Sequence, residues 1–397
     1  MPRVLRIINR LNLGGPTYNA ANLTAHLAPE FETVLMAGMK DDSEESSEFI
    51  LEKAGIQPVY ISNMKREIDV WNDREAYRQI VKFIRDFKPD IVHTHAAKAG
   101  TLGRIAAWRN KVPIVVHTFH GHVFHSYFSP TKTRVFLEIE RMLAKISTGI
   151  IAISDDQKND LGNIYKVCAP DKIKVIPLGF ELERFSEAKL EKRKAFRAQY
   201  HLEEDTLAIG IIGRLVPVKN HALFIQAWKN VHASYPGKSH AFIIGDGEER
   251  QHLEALCTSA GINFETPEKE HPSAELTFTS WIHDIDRAMA GLDIIALTSF
   301  NEGTPVSLIE AQASGKAIVT TQVGGIGNAV IPGTTALLSP SGDVNAFSKN
   351  LSALMNNPEL RGKMQESGPS FAVKKFGYER LIKDMREYYL DLLKIKG

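Results

Sequence analysis

The strongest constraint on this chain is a rhythm: short β-branched runs alternate with longer stretches of helical periodicity, and the alternation runs twice. Residues 4–8, 33–36, 91–93, 114–118, 149–152 and 174–176 read as strands, with helices at 18–27, 45–53, 75–87, 100–108 and 132–145. Strands separated by whole helices cannot pair as hairpins. They predict a mostly parallel sheet covered on both faces. After a stretch rich in Lys, Arg and Glu at 186–204 the rhythm restarts. Strands are then expected at 208–212, 241–244, 276–278, 294–297, 317–320 and 336–338, with a helix at 221–235 and others between.

The simplest architecture is α/β, with two Rossmann-like halves. Residues 1–185 and 186–377 are the expected domains, followed by a helix over 378–397, where Leu381, Ile382, Met385, Tyr388, Tyr389, Leu392 and Leu393 recur at helical spacing. In such sheets ligands bind at the carboxyl ends of the strands, so two facing sheets would hold one in the cleft between them. The length of 397 residues is ample for two large cores.

Composition removes several classes. A net charge of +1 argues against a nucleic-acid-coating protein. No run approaches the ~20 apolar residues of a membrane span. The first apolar run is short and interrupted by Arg6, unlike a secretion signal. Cys168 and Cys257 are the only cysteines, too few for a disulfide framework and suited to a reducing cytosol. The P-loop, G-x-S-x-G, H-E-x-x-H and G-x-G-x-x-G patterns are absent from the sequence, which weakens NTPase, serine hydrolase, zincin and dehydrogenase readings.

Three loops carry chemistry. Gly14-Gly15 after the first strand opens a helix, where close backbone approach and free N–H groups suit a diphosphate, although an ordinary tight turn would look the same. Arg214 and Lys219 follow the strand at 208–212, placing two cations where an anionic leaving group could be neutralised; solvated surface cations are the plainer alternative. Glu302-Gly303-Thr304-Pro305 leads into a helix holding Glu310, with Thr304 as the expected N-cap and Pro305 in the first turn. Two carboxylates eight apart across such a turn can accept hydrogen bonds from polyol hydroxyls; a helix-dipole partner and a solvent-facing charge are the plainer alternatives.

Taken in order, these residues resemble retaining glycosyltransferases of family 4, which have the two-domain GT-B fold. The resemblance runs through Gly14-Gly15, His93-Thr94-His95, Thr118-Phe119-His120-Gly121, Ile176-Pro177-Leu178-Gly179-Phe180 and Gly213-Arg214…Lys219. It continues through Gly245-Asp246-Gly247, Glu302…Glu310 and Val323-Gly324-Gly325. It implies transfer of a hexosyl or N-acetylhexosaminyl unit from a nucleotide diphosphate sugar, UDP before GDP, to a hydroxyl acceptor, without a metal. Arg214 and Lys219 would hold the diphosphate, Glu310 the ribose and Glu302 the donor sugar. His120 would approach that sugar from the N-terminal domain. Gly14 and Gly15 would offer backbone amides to the phosphates or the acceptor. Gly303, Thr304 and Pro305 would line the nucleotide, with Ile282 as a backbone contact near the base. The final helix would cross back onto the N-terminal domain. The 118–130 region resembles members that assemble bacterial polysaccharides, implying a glycan or lipid-linked acceptor and a cytoplasmic enzyme touching the inner membrane surface.

The chain departs from the family at Gly327-Asn328, where a Glu is frequent, and at Glu181, where an Asp is. The polar segment 265–275 reads as a surface insertion. Six of the fourteen histidines lie between His93 and His125; imidazoles lining a cleft explain them better than a metal site, since no Cys accompanies them. Asp284-Ile285-Asp286 reads as a helix N-terminal acidic pair rather than a metal motif. Between residues 98 and 145 eight basic residues (Lys98, Arg104, Arg109, Lys111, Lys132, Arg134, Arg141 and Lys145) face only Glu138 and Glu140. Phe124, Tyr127 and Phe128 lie among them, so an acceptor face for an anionic lipid-linked sugar competes with a solvated helix surface. No nucleic-acid-binding module matches. A nucleotide-sugar epimerase or hydrolase, and a non-catalytic nucleotide-sugar-binding protein, stand as the alternatives.

Overall fold

The computed structural model describes residues 1–11, 15–39, 48–65, 69–121 and 130–396. Contacts divide the chain into two units, Met1–Phe180 with Lys375–Gly397, and Glu181–Lys374.

Among the described residues each unit holds one seven-stranded, wholly parallel sheet. The first is built from β1 (Arg3–Ile8), β2 (Glu32–Gly38), β3 (Val59–Ile61), β4 (Ile91–His95), β5 (Ile114–Thr118), β6 (Gly149–Ala152) and β7 (Ile173–Val175), in the order β3-β2-β1-β4-β5-β6-β7. The second comprises β8 (Leu207–Ile212), β9 (Ser239–Ile244), β10 (Phe264–Glu265), β11 (Leu276–Ser280), β12 (Ile294–Leu297), β13 (Ala317–Thr321) and β14 (Ala336–Ser339), in the order β10-β11-β9-β8-β12-β13-β14. The strand order reverses between β1 and β4 in the first sheet and between β8 and β12 in the second. Ligands enter sheets of this kind at such points, beyond the carboxyl ends of the strands.

Strand alternation sorts the first core. Leu5, Ile7, Val92 and Val115 face Ala76, Ile80 and Ile84 of the helix Val70–Phe87. That helix begins five residues before the expected 75, because the Asp69 carboxylate accepts the backbone N–H groups of Trp71 and Asn72, both at 3.0 Å. On the opposite face Val4, Ile91, Ile114, Val116 and Ile151 meet the last helix, Tyr378–Lys396, through Leu381, Met385, Tyr389 and Leu392. The final helix therefore packs on the N-terminal unit, as expected. Arg380 of this helix donates to the carbonyls of Pro177 and Leu178 at 2.9 and 2.7 Å. Phe180 and Phe376–Tyr378 exchange backbone hydrogen bonds, Phe180 N–H to Phe376 O at 2.8 Å and Tyr378 N–H to Phe180 O at 3.1 Å.

Gly149 lets that helix lie close. A Cβ there would stand 1.9 Å from the Tyr388 hydroxyl oxygen. Gly149→Ala is therefore expected to destabilise the first unit by about 1–3 kcal/mol, the range for overpacking a core. Urea unfolding followed by tyrosine and tryptophan fluorescence measures it, and an unchanged midpoint contradicts the close packing.

Candidate active site

The second sheet brings two of the expected residues together at its reversal point. β8 and β12 are neighbours in register, Ile209 opposite Ile294 and Ile211 opposite Ala296. The loop after β8 carries Arg214 and the single turn Pro217–Lys219; the loop after β12 carries Ser299 and Glu302. The two loops are tied by backbone and hydroxyl bonds. Phe300 N–H donates to Val218 O at 2.8 Å, and the Thr298 hydroxyl reaches the Lys219 and Asn220 carbonyls at 3.0 and 2.9 Å. Lys219 Nζ meets Glu302 Oε1 at 2.6 Å, and Ser299 Oγ donates to the same oxygen at 2.6 Å. Glu302 is 8% exposed, so this carboxylate is neutralised and held in one rotamer. Ser299 carries no signal in the sequence beyond its place just past a buried strand.

Neighbouring glycines let other loops close over this corner. Gly324 has φ +46°, and a Cβ on it would lie 2.1 Å from the Glu302 carbonyl oxygen. Gly325 N–H donates to that same oxygen at 2.9 Å. A Cβ on Gly245 would lie 2.1 Å from the Gly213 carbonyl oxygen. The Gly245-Asp246-Gly247 and Val323-Gly324-Gly325 motifs thus act by backbone packing against the loops that hold Lys219 and Glu302. Arg214 is exposed and has no ion-pair partner among the described residues.

Glu310 lies on the helix Val306–Ala313 in a different state from Glu302. Its side chain is 13% exposed, and Arg184 Nη2 stands 3.6 Å from Oε1. Burial pushes its carboxyl up to about 7, against the pull of Arg184 and helped by Asp286. The N-cap of this helix is Pro305 in an extended conformation, not Thr304, and no side chain caps it. The chain enters the helix one residue later than expected because Pro305 supplies the carbonyl that accepts from Leu308 N–H at 3.1 Å. Gly303 and Thr304 are half-buried beside it, and among the described residues the Val306 and Ser307 N–H groups of the first turn have no partner. Ile282 is half-buried in the loop between β11 and the helix Ile285–Gly291. Asp284 pairs with Arg287 at 2.6 Å and Asp286 with Lys192 at 2.9 Å, so each carboxylate of that acidic pair has its own cation.

At the reversal point of the first sheet stand Gly15 and the histidines; Gly14 lies outside the described residues. The expected cleft lining is corrected here for three of the imidazoles. His93, His95 and His117 are fully or almost fully buried, because both faces of a parallel sheet are covered. His93 bonds the Tyr389 hydroxyl through Nδ1 at 2.6 Å and the Thr118 hydroxyl through Nε2 at 2.7 Å. His117 Nδ1 meets the Thr94 hydroxyl at 2.8 Å on the other face. His95 Nδ1 meets His120 Nε2 at 2.8 Å. Burial, with nearby Arg6 and the other imidazoles, holds His93 and His95 well below the usual histidine range, and burial alone brings His120 to about 3. These rings are neutral. His122 and His125 lie outside the described residues, as do Phe124, Tyr127 and Phe128.

The basic stretch at 98–145 is also thinner than its count. Arg104 is fully buried and paired with Glu140 at 2.7 Å, while Lys98 pairs with Asp73 at 2.6 Å and Arg141 with Glu138 at 2.5 Å. Arg109, Lys111, Arg134 and Lys145 stay exposed beside Trp108, Val135 and Met142, which are themselves more than half exposed. Among the described residues no helix is long and apolar enough to cross a membrane.

Comparison with known proteins follows the same division. The profile described as "Glycosyltransferase Family 4" matches residues 13–184, and "Glycosyl transferases group 1" matches 192–371. The chain is 28% identical over 340 residues, 85% of its length and 84% of the relative's, to the UDP-Gal:alpha-D-GlcNAc-diphosphoundecaprenol alpha-1,3-galactosyltransferase of Escherichia coli. It is 25% identical over 362 residues, 90% of each chain, to the capsular polysaccharide biosynthesis glycosyltransferase CapM of Staphylococcus aureus. Among solved structures, Anabaena Alr3699/HepE in complex with UDP superposes with a TM-score of 0.80 at 18% identity, over 98% of this chain and all of that one.

Proposed function

Because the chain belongs to glycosyltransferase family 4 and has the GT-B fold, we propose that it is a retaining transferase moving a hexosyl or N-acetylhexosaminyl unit from a UDP-sugar to a hydroxyl on a glycan or lipid-linked glycan. One observation carries this reading: at the reversal point of the second sheet a lysine–glutamate–serine cluster is fixed beside an uncapped helix N-terminus.

The chemistry follows from where charge develops. The leaving diphosphate gains negative charge while the sugar becomes oxocarbenium-like. Lys219, Arg214 and the N–H groups opening the helix Val306–Ala313 are assigned to the diphosphate, where prearranged donors and cations act without reorganisation. With Lys219 satisfied by it, Glu302 turns its remaining acceptor capacity to sugar hydroxyls. Glu310 is assigned to the ribose, and Ile282, Gly303, Thr304 and Pro305 to the rest of the nucleotide. His120, neutral and held by His95, shapes the sugar end rather than carrying charge. Gly14 and Gly15 offer amides to the phosphates or acceptor. No enzymic nucleophile is assigned: the acceptor attacks from the face the diphosphate leaves, and the departing phosphate oxygen takes its proton. No metal takes part in this scheme.

The names of the E. coli and S. aureus relatives support an acceptor in polysaccharide assembly, and the UDP complex supports the nucleotide. The exposed Trp108, Val135 and Met142 among Arg109, Lys111, Arg134 and Lys145 suit the cytoplasmic face of a membrane carrying anionic lipid.

The test is incubation with a panel of UDP- and GDP-sugars, with and without a diphosphoundecaprenol-linked N-acetylglucosamine acceptor, the product's anomeric configuration being read by NMR. An α-linked product from an α-linked donor is expected. Rapid epimerised or free sugar from donor alone favours the epimerase or hydrolase, and binding without turnover favours a sensor. Glu310→Ala should weaken UDP by about 10- to 100-fold, the loss of hydrogen bonds to a charged group. Unchanged affinity by calorimetry contradicts the ribose assignment.

A further inference from the structure

Arg184 lies in the single turn Glu183–Phe185, a segment with no periodic signal in the sequence. Phe185 is 2% exposed and anchors the turn, which packs against the helices Ile285–Gly291 and Val306–Ala313. The Arg184 guanidinium stacks on the Phe185 ring at 4.8 Å and stops 3.6 Å from Glu310 Oε1. Charge-assisted hydrogen bonds of this type run at about 2.7–2.9 Å. The pair is therefore an ion pair without a hydrogen bond, and no described residue donates to either Glu310 oxygen. Glu302 is the contrast, its Oε1 already taken by Lys219 and Ser299.

The geometry points to Arg184 as the positioning residue that favours the charged form of Glu310 while leaving both its oxygens open to the two ribose hydroxyls. This rests on the assignment of Glu310 to the ribose. The two hydroxyls donate two hydrogen bonds, and a carboxylate offers an acceptor on each oxygen. A carboxylic acid spends one oxygen on its own proton. Keeping the charge is not automatic, because burial pushes Glu310 up to about 7. The charged groups that act on it are Arg184 from the turn and Asp286 from the adjoining helix, and Asp286 is itself paired with Lys192 at 2.9 Å. Among the described residues Arg184 is thus the one cation acting directly in favour of the carboxylate. Without it the titration of Glu310 moves further up, and at neutral pH the ribose meets an acid.

The test is UDP affinity by calorimetry for the parent, Arg184→Gln, Arg184→Lys and Glu310→Gln, from about pH 6.5 to about pH 8.5. The ratio of variant to parent cancels the protonation of UDP itself. Arg184→Gln should bind roughly tenfold more weakly near pH 7, narrowing to about twofold near pH 8.5, because the carboxyl then titrates higher and is ionised again only at the alkaline end. Arg184→Lys keeps the charge and should recover most of the affinity at every pH. In Glu310→Gln binding should be weak with no such pH trend, and adding Arg184→Gln should change it no further. A pH-independent loss in Arg184→Gln overturns the proposal, since it marks a direct ligand contact or a packing role. If Glu310→Gln binds UDP like the parent, the ribose assignment itself fails, and this proposal with it. Near-ultraviolet circular dichroism confirms that each variant is folded.

Discussion

Lys219→Ala is expected to lower turnover at saturating donor by about 10²-fold or more, a loss of ~3 kcal/mol of transition-state stabilisation. Two effects combine in this variant. The diphosphate loses a cation at the moment its charge grows, and Glu302, 8% exposed, loses the partner that neutralises it at 2.6 Å. Stranding a buried carboxylate costs about 3–5 kcal/mol in its own right. The thermal midpoint should therefore fall as well. Lys219→Ala combined with Glu302→Gln separates the two: stability should return while turnover stays low. Arg214→Ala is the complementary case. Arg214 is exposed and unpaired among the described residues, so its removal should cost a comparable factor in turnover at no cost in stability. Near-parental turnover in both single variants removes the diphosphate assignment.

Acidification should unfold the first unit before the second. His93, His95 and His117 are held well below the usual histidine range, and His120 at about 3. In the unfolded chain each takes a proton near pH 6.5. A base whose folded pKa is depressed contributes stability that is complete above the unfolded value and is lost as pH falls below it. The loss is about 1.4 kcal/mol per pH unit per histidine. With four such groups in the first unit the loss accumulates as pH falls, against a total stability of about 5–15 kcal/mol for a typical domain. The second unit has fewer such groups, His221 at about 3 and His240 at about 4. Its Glu310 works in the opposite sense: a carboxyl raised to about 7 contributes stability that is complete below its unfolded pKa and lost as pH rises through the folded one. Calorimetric scans from about pH 7.5 to about pH 5 should resolve a transition that moves steeply and another that moves little. Two transitions of equal pH dependence would contradict the buried neutral histidines.

The alternation of strand and helix was legible because it depends on local periodicity, and both sheets follow it. Of the three shortest strands, Val59–Ile61 and Phe264–Glu265 escaped and Ile173–Val175 was read one residue late, since two or three residues make only a weak pattern. The helix Lys189–Gln199 was hidden inside the charged stretch at 186–204. Its burial rests on Phe196 and on the guanidinium of Arg197, which donates to the Glu203 and Thr206 carbonyls at 2.5 and 2.6 Å. A buried arginine satisfied by main-chain oxygens looks like a surface charge in sequence. Arg104 misled in the same way. At the site, the spacing of Glu302 and Glu310 was visible, but not that one is occupied and the other open. That difference comes chiefly from Lys219 and Arg184, which reach their carboxylates from far along the chain, through tertiary contact alone.

The last helix completes a core begun by the first strand, and the order of synthesis gives this a cost. Val4, Leu23, Ile91 and Ile114 emerge from the ribosome early, while Leu381, Met385 and Tyr389 that cover them emerge only after the whole second unit. At about 5–20 residues per second the intervening unit takes on the order of 10–40 s to translate. Throughout that interval the nascent chain carries an uncovered greasy seam, a natural target for holdase chaperones. A stop codon just before Tyr378 would release a protein whose second unit is finished and whose first unit lacks the helix that closes it.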